Sequence, residues 1–175
     1  VRTYLYDADA NQIKLIDEMP LLKDAGRFSK VEPVFIPARD GLEIPAFLSR
    51  PKARQGPTPL VILIHGGPIV RSYAGYSRFR LFLNDRGYSV LDVNYRGSWG
   101  YGRKFAFAAK GEVSRKMHGD IVDARAWAIE NGITTHDKVG VFGGSWGGLQ
   151  VLTAMTDTPD LFAAGVAVNG VSDLS

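Results

Sequence analysis

The sequence predicts an α/β fold, a mostly parallel sheet with helices on both faces. Two observations carry this. From residue 59 onward, short unbroken apolar runs alternate with helical patterns. Strands that are apolar on both sides belong to sheets covered on both sides. Before residue 59 the apolar runs pair across turn residues, which reads as hairpins.

The composition allows a single globular domain and excludes several classes. Of 175 residues, 45% are hydrophobic and 22% charged, so disordered and collagen-like chains are ruled out. The longest apolar run, Pro59 to Ile64, is far short of the ~20 residues of a membrane helix, so no membrane partner is expected. There are no cysteines, which removes disulfides and thiolate metal sites and fits a reducing, cytoplasmic setting. The chain starts at Val1 and shows no signal-peptide pattern, and it stops at Ser175 straight after a strand-like segment. It therefore reads as a fragment, truncated before the last strands of its sheet.

The net charge of +3 is unevenly spread: residues 61–118 carry 10 basic and 3 acidic groups, residues 119–175 carry 2 and 7. A basic middle suits nucleic acid only as a continuous stripe. Here the arginines are scattered among aromatics and glycines, so no nucleic-acid partner is expected.

Along the chain, Thr3–Tyr6 and Gln12–Ile16 alternate across the turn residues Asp7 to Asn11. A lone hairpin buries little, so residues 1–25 are expected to belong to something larger. A second hairpin joins Val34–Ile36 to Ile44–Leu48 through Arg39-Asp40-Gly41. Its prolines, Pro33, Pro37 and Pro45, favour an edge position. The strands that follow are expected at Leu60–Ile64, Tyr88–Val93, Val139–Phe142 and Ala163–Val168. Helices are expected near Ser77–Arg86, Asp120–Asn131 and Trp146–Met155. Ile121, Ala124, Trp127 and Ala128 share one helical face, and Gly132 stands just past it as a C-terminal cap.

In parallel sheets the chemistry gathers at the carboxyl ends of the strands. After Val139–Phe142 comes Gly143-Gly144-Ser145-Trp146-Gly147-Gly148. A Gly-x-Ser-x-Gly string between strand and helix is the setting of a nucleophile elbow, which holds the serine on a strained turn with its Oγ above the sheet. Gly143 and Gly147 leave room for strand and helix to approach, and the helix N-terminus favours developing negative charge. The string lacks the Gly-Lys-Ser/Thr ending of a phosphate loop.

After Leu60–Ile64 comes His65-Gly66-Gly67-Pro68. In an α/β-hydrolase the oxyanion hole takes one amide from the residue after the serine and one from such a loop. Trp146 and Gly67 are the expected donors. His65 precedes the serine, whereas the catalytic histidine of this fold follows it, so His65 is expected to order the loop, with Gly66 beside it. His118 and His136 have no metal-ligand spacing, and neither a metal nor a cofactor is expected. After Tyr88–Val93, the loop Asn94 to Gly102 mixes Gly, Tyr, Trp and Arg. It reads equally as a source of substrate contacts or as a packed loop with Arg96 bonding backbone carbonyls.

Taken in order, His65-Gly66-Gly67-Pro68, Asn94-Tyr95-Arg96-Gly97-Ser98 with Gly100-Tyr101-Gly102, and Gly143 to Gly148 resemble the catalytic domain of the prolyl oligopeptidase family of serine peptidases. The likeness is nearest its acylaminoacyl-peptidase and dipeptidyl-peptidase-like branch and spans roughly residues 30–175. The resemblance implies an α/β-hydrolase fold, hydrolysis of short peptides with Ser145 as nucleophile, and Gly67 and Trp146 as oxyanion donors. It also implies an N-terminal β-propeller that restricts access. Residues 1–25 are then the end of that propeller or its link, and residues 26–175 the first part of the hydrolase. The family's acid and histidine follow the serine. No histidine follows Ser145 here, and Asp157, Asp160 and Asp173 come too early for the acid. The chain alone is therefore expected to be inactive and to expose an apolar strand edge near Ala163–Val168, which leaves pairing with another copy open. A carboxylesterase, or a non-catalytic interaction module of the same fold, stays open as an alternative.

Overall fold

The computed structural model describes residues 2–18, 29–52, 56–113 and 115–172. The first strands, β1 (Arg2–Asp7) and β2 (Gln12–Glu18), form their own antiparallel sheet. Its turn is held locally: Asp7 Oδ1 accepts the Ala10 N–H at 3.0 Å, and the Tyr6 hydroxyl donates to Asn11 Oδ1 at 3.0 Å. Val1 and residues 19–25 of the expected N-terminal unit, and Asp173, lie outside the described residues.

The main sheet has six strands among the described residues: β3 (Val31–Pro37), β4 (Glu43–Ser49), β5 (Leu60–Ile64), β6 (Ser89–Val93), β7 (Val139–Gly144) and β8 (Ala164–Val168). Their order is β3-β4-β6-β5-β7-β8. β3 and β4 run antiparallel to their neighbours, and β6, β5, β7 and β8 are mutually parallel. The strand expectations hold to within two residues at each end from β5 onward. The edge assignment holds only for β3. β4 is flanked on both sides, and Pro45 is accommodated because its carbonyl accepts the Asn94 N–H at 2.9 Å where the ladder with β6 starts at Ala46. The missing amide hydrogen falls where that ladder has ended.

Among the described residues four α-helices connect the strands: α1 (Arg78–Asp85), α2 (Arg103–Phe107), α3 (Lys116–Glu130) and α4 (Trp146–Asp157). α1 packs on β6; α3 packs on β3 and on α4; α4 packs on β5, β7 and β8. Gly165 faces Val151 and Met155 of α4. Phe142 of β7, on the opposite face, stacks on Phe79 of α1 with ring centroids 4.2 Å apart. Both faces of the sheet thus carry helices, as the continuous apolar strands require, with β8 left exposed at the margin.

The core is built mostly from the expected positions, with Met117 added to the α3 stripe and Trp127 only half-buried at its side. Ile62, Val90, Leu91 and Val93 are fully buried, and so are Met117, Ile121, Ala124 and Ala128 on one stripe of α3. Each large aliphatic side chain so placed contributes about 1.5–3 kcal/mol. α3 starts four residues earlier than its periodicity suggested, because His118, Gly119 and Asp120 hide the first turn. Its end follows the expected cap: Gly132 has φ 65°, and its N–H reaches Ile129 O at 2.9 Å. α2 was not anticipated, since five residues after Gly102 are too few to show a period. At the far margin all five residues of β8 are exposed, Val166 by 51%. Among the described residues no helix is long and apolar enough to cross a membrane.

Candidate active site

The chain leaves β5 to form β6 on one side and β7 on the other. The carboxyl ends of β5 and β7 therefore flank the point where the order reverses, the usual ligand crevice of such sheets. The two loops expected to carry chemistry emerge side by side there, because Ile64 is in register with Gly143.

Ser145 sits between β7 and α4 with φ 53° and ψ −118°. A non-glycine residue costs about 1–3 kcal/mol in such a backbone region and holds it only when its surroundings insist. Here they do. The Ser145 N–H is bonded to Val168 O of β8 at 2.9 Å, and its carbonyl accepts the Leu149 N–H of α4 at 3.2 Å. The glycines around it permit the approach. A Cβ on Gly143 would overlap the Gly147 carbonyl; one on Gly147 would overlap Ile64 O and lie 2.9 Å from His65 O. Gly148 is needed too, since a Cβ there would lie 2.6 Å from Gly170 Cα. The doubled Gly147-Gly148 already signalled this, but its partner Gly170 is far along the chain. The Ser145 side chain is exposed, and its Oγ makes no hydrogen bond among the described residues.

The loop after β5 lies against this elbow. A Cβ on Gly66 would come within 3.2 Å of Gly144 O and 4.0 Å of Ser145 Oγ. Gly67 is exposed with φ 121°, and a Cβ there would crowd Ile69 N at 2.8 Å. His65 turns away from the serine. Its Nε2 meets Ser98 Oγ at 2.8 Å, its Nδ1 meets Gly66 O at 2.7 Å, and its ring stacks on Tyr95 at 4.4 Å. The Tyr95 hydroxyl donates to His65 O at 2.9 Å, and Ser98 Oγ donates to Tyr95 O at 2.6 Å. Burial lowers the His65 pKa, against the Gly66 bond that raises it. The stacking and bonding partners come from the loop after β6, and nothing in local spacing pairs them with His65. Trp146 opens α4, so its amide is one of the first-turn donors that no helical carbonyl reaches.

In the loop from Asn94 to Gly102, Arg96 departs from the expected backbone bonding. Its guanidinium bonds carboxylates, not backbone carbonyls. It pairs with Asp120 and Asp40, each at 2.7 Å, while Asp120 also accepts the Arg96 N–H at 2.7 Å. Burial raises the Asp120 carboxyl against the pull of Arg96. This network ties the loop to α3 and to the β3–β4 turn. His118 is buried within α3 with Nε2 3.1 Å from Thr158 Oγ1, and the His136 carbonyl accepts from Arg125 at 2.9 Å. Neither ring approaches Ser145 by any hydrogen bond. Among the described residues no group of three His, Cys, Asp or Glu side chains could hold a metal ion.

A mostly parallel sheet with a strained serine between its penultimate strand and a helix, facing a glycine loop, is the architecture of an α/β-hydrolase. Residues 75–175 match the prolyl oligopeptidase family, and the chain belongs to that family. It is 41% identical to dipeptidyl aminopeptidase BIII of Pseudoxanthomonas mexicana over 98% of this chain and 26% of that protein. It is 38% identical to the acylamino-acid-releasing enzyme of Arabidopsis thaliana over 67% of this chain and 15% of that protein. Among solved structures, a puromycin-hydrolyzing peptidase of Mycobacterium tuberculosis superposes with a TM-score of 0.83 at 26% identity, covering 98% of this chain and 28% of that one. The chain spans 26% and 22% of the length of two curated relatives, the Pseudoxanthomonas mexicana enzyme and a dipeptidyl peptidase family member of Caenorhabditis elegans.

Proposed function

We propose that this chain is the nucleophile-bearing part of a serine peptidase that hydrolyses short peptides through an acyl-enzyme on Ser145. The observation that carries the reading is the exposed, positive-φ serine at a strand–helix elbow, with the Gly66–Gly67 loop against it. In this reading residues 26–175 are the first part of the hydrolase, and residues 1–25 end or link an N-terminal propeller.

Ser145 Oγ attacks the scissile carbonyl carbon and passes its proton to a histidine held by a carboxylate. The carbonyl oxygen becomes an oxyanion between the Gly67 and Trp146 amides; one such donor is worth about 3 kcal/mol in the transition state. Collapse breaks the C–N bond, the amine leaves with the proton from the histidine, and water then releases the acyl group. Each step is acid–base and covalent chemistry that needs no cofactor. The histidine and its acid come from outside these 175 residues in this reading: His65 is committed to Ser98 and Gly66, and the His118 ring lies against Thr158.

Fluorophosphonate labelling tests this. The full-length protein should label stoichiometrically at Ser145 and turn over peptide substrates as well as their matched esters. The isolated 175-residue chain should label slowly or not at all. Labelling elsewhere, or turnover of esters alone, would replace the peptidase reading.

A further inference from the structure

The loop that carries Gly67 runs on to Arg71, a half-buried arginine with an unusual setting. Its guanidinium lies over the rings of Tyr73 and Tyr101, 4.6 and 5.7 Å from their centroids. It also presses on Gly100, where a Cβ would lie 2.6 Å from its terminal nitrogen. The other arginines sunk into this part of the fold are matched by acids: Arg80 by Asp92 at 2.8 Å and Arg96 by Asp120 at 2.7 Å. Arg71 makes no ion pair and no hydrogen bond among the described residues.

Its surroundings are fixed. Asn94 Oδ1 accepts the Ser72 N–H at 2.7 Å, and Asn94 Nδ2 donates to the Tyr101 hydroxyl at 2.9 Å. The Trp99 N–H donates to Val70 O at 3.1 Å, joining the two loops. Arg80 adds bonds to Tyr73 O and Gly75 O at 3.0 and 2.9 Å. Trp99 and Tyr73 nevertheless remain 62% exposed. A cation stacked between rings, with its planar fork unused, thus stands at the carboxyl end of β5. Three residues separate it from Gly67, so their Cα atoms lie within about 14 Å, the reach of a few peptide residues.

A guanidinium fork fits a carboxylate through two parallel hydrogen bonds, and aromatic stacking fixes it in advance so that little freedom is lost on binding. The exposed rings beside it suit an apolar side chain next to that carboxylate. We propose that Arg71, flanked by Tyr73, Tyr101 and Trp99, binds the terminal carboxylate of a short peptide whose scissile carbonyl lies at Ser145. This rests on the peptidase reading above.

The test uses the full-length protein carrying Ser145→Ala, which binds without turnover. A tetrapeptide with a free C-terminal carboxylate and the same peptide as its carboxamide are titrated, with tryptophan fluorescence as the readout. The carboxylate form should bind roughly tenfold or more tightly, as expected for hydrogen bonds to a charged group. Arg71→Gln should erase that preference, and Arg71→Lys should restore part of it. With Ser145 in place, the kcat/KM ratio of the two peptides should follow the same pattern. Equal affinity for the two peptides, no binding of either, or a preference that survives Arg71→Gln overturns the proposal. Labelling that stays intact without the preference removes this site alone. A preference that stays intact without labelling removes the peptidase reading alone. A lowered melting temperature in Arg71→Gln with no preference to lose makes the arginine a tether to another part of the protein.

Discussion

Gly147→Ala should be the most damaging single methyl in the chain. The added Cβ would overlap Ile64 O and lie 2.9 Å from both Ile64 C and His65 O. All three atoms are backbone, at the point where β5 turns into the Gly66–Gly67 loop, so no side chain can rotate away. Relief requires α4 to retreat from β5 or the loop to move with it. Overpacking of this kind costs about 1–3 kcal/mol, and the rigid neighbours place Gly147→Ala at the upper end. Two substitutions calibrate it. Gly165→Ala meets the Met155 side chain at 2.7 Å, which can swing aside, so it should cost less than about 1 kcal/mol. Gly119→Ala lies in α3 with nothing within 4 Å and should stabilise by about 0.5–1 kcal/mol, the helix-propensity difference. Melting of the three variants in the full-length protein gives the order, and fluorophosphonate labelling gives the functional part. Gly147→Ala should slow labelling by about a hundredfold or more, while the other two leave it unchanged. A Gly147→Ala protein as stable and as reactive as Gly165→Ala would refute the claim that these two loops are in backbone contact.

Other outcomes follow from the same coordinates. Ser145→Gly should abolish labelling yet stabilise the fold by about 1 kcal/mol, because glycine relieves the positive φ; a loss of stability in thermal melts would contradict the strain. Asp120→Ala should cost about 3–5 kcal/mol, since it leaves the buried Arg96 guanidinium without its inner partner, and denaturant titration reads this directly. The Arg96 bond lowers the Asp40 carboxyl from 3.8 to about 2. Its stabilising contribution is therefore complete above about pH 4 and is lost as the pH falls through 2; Asp40→Asn should flatten that part of the acid-unfolding curve. Burial holds the His118 pKa below 6.5, so stability should also decline as the pH drops beneath 6.5, and His118→Gln should weaken that slope.

The parts of this molecule legible in its sequence are those whose causes are local. Continuous apolar runs marked β5 to β8, and the stripe Ile121, Ala124, Ala128 marked α3. The elbow was legible because steric need writes itself as glycine: Gly143 and Gly147 bracket Ser145 wherever strand and helix must touch. What stayed hidden depends on partners distant in the chain. The pairing of Arg96 with Asp40 and Asp120 spans 56 and 24 positions, and no periodicity encodes it. His65 was expected to order its loop, but its stacking on Tyr95 and bond to Ser98 arise only when β5 and β6 lie side by side. The place of Pro45 beside a flanked strand was misjudged for a similar reason: whether a missing amide matters depends on where the neighbouring ladder stops.

The bond from the Ser145 amide to Val168 joins the proposed nucleophile to the outermost described ribbon of the sheet. Sheet margins are where hydrogen-bonded ladders open first, so the readiness of this serine is tied to how firmly that last ribbon is held. Whatever shields it would tune reactivity from a distance without touching the substrate, and loosening it would disarm the centre before the rest of the fold gave way.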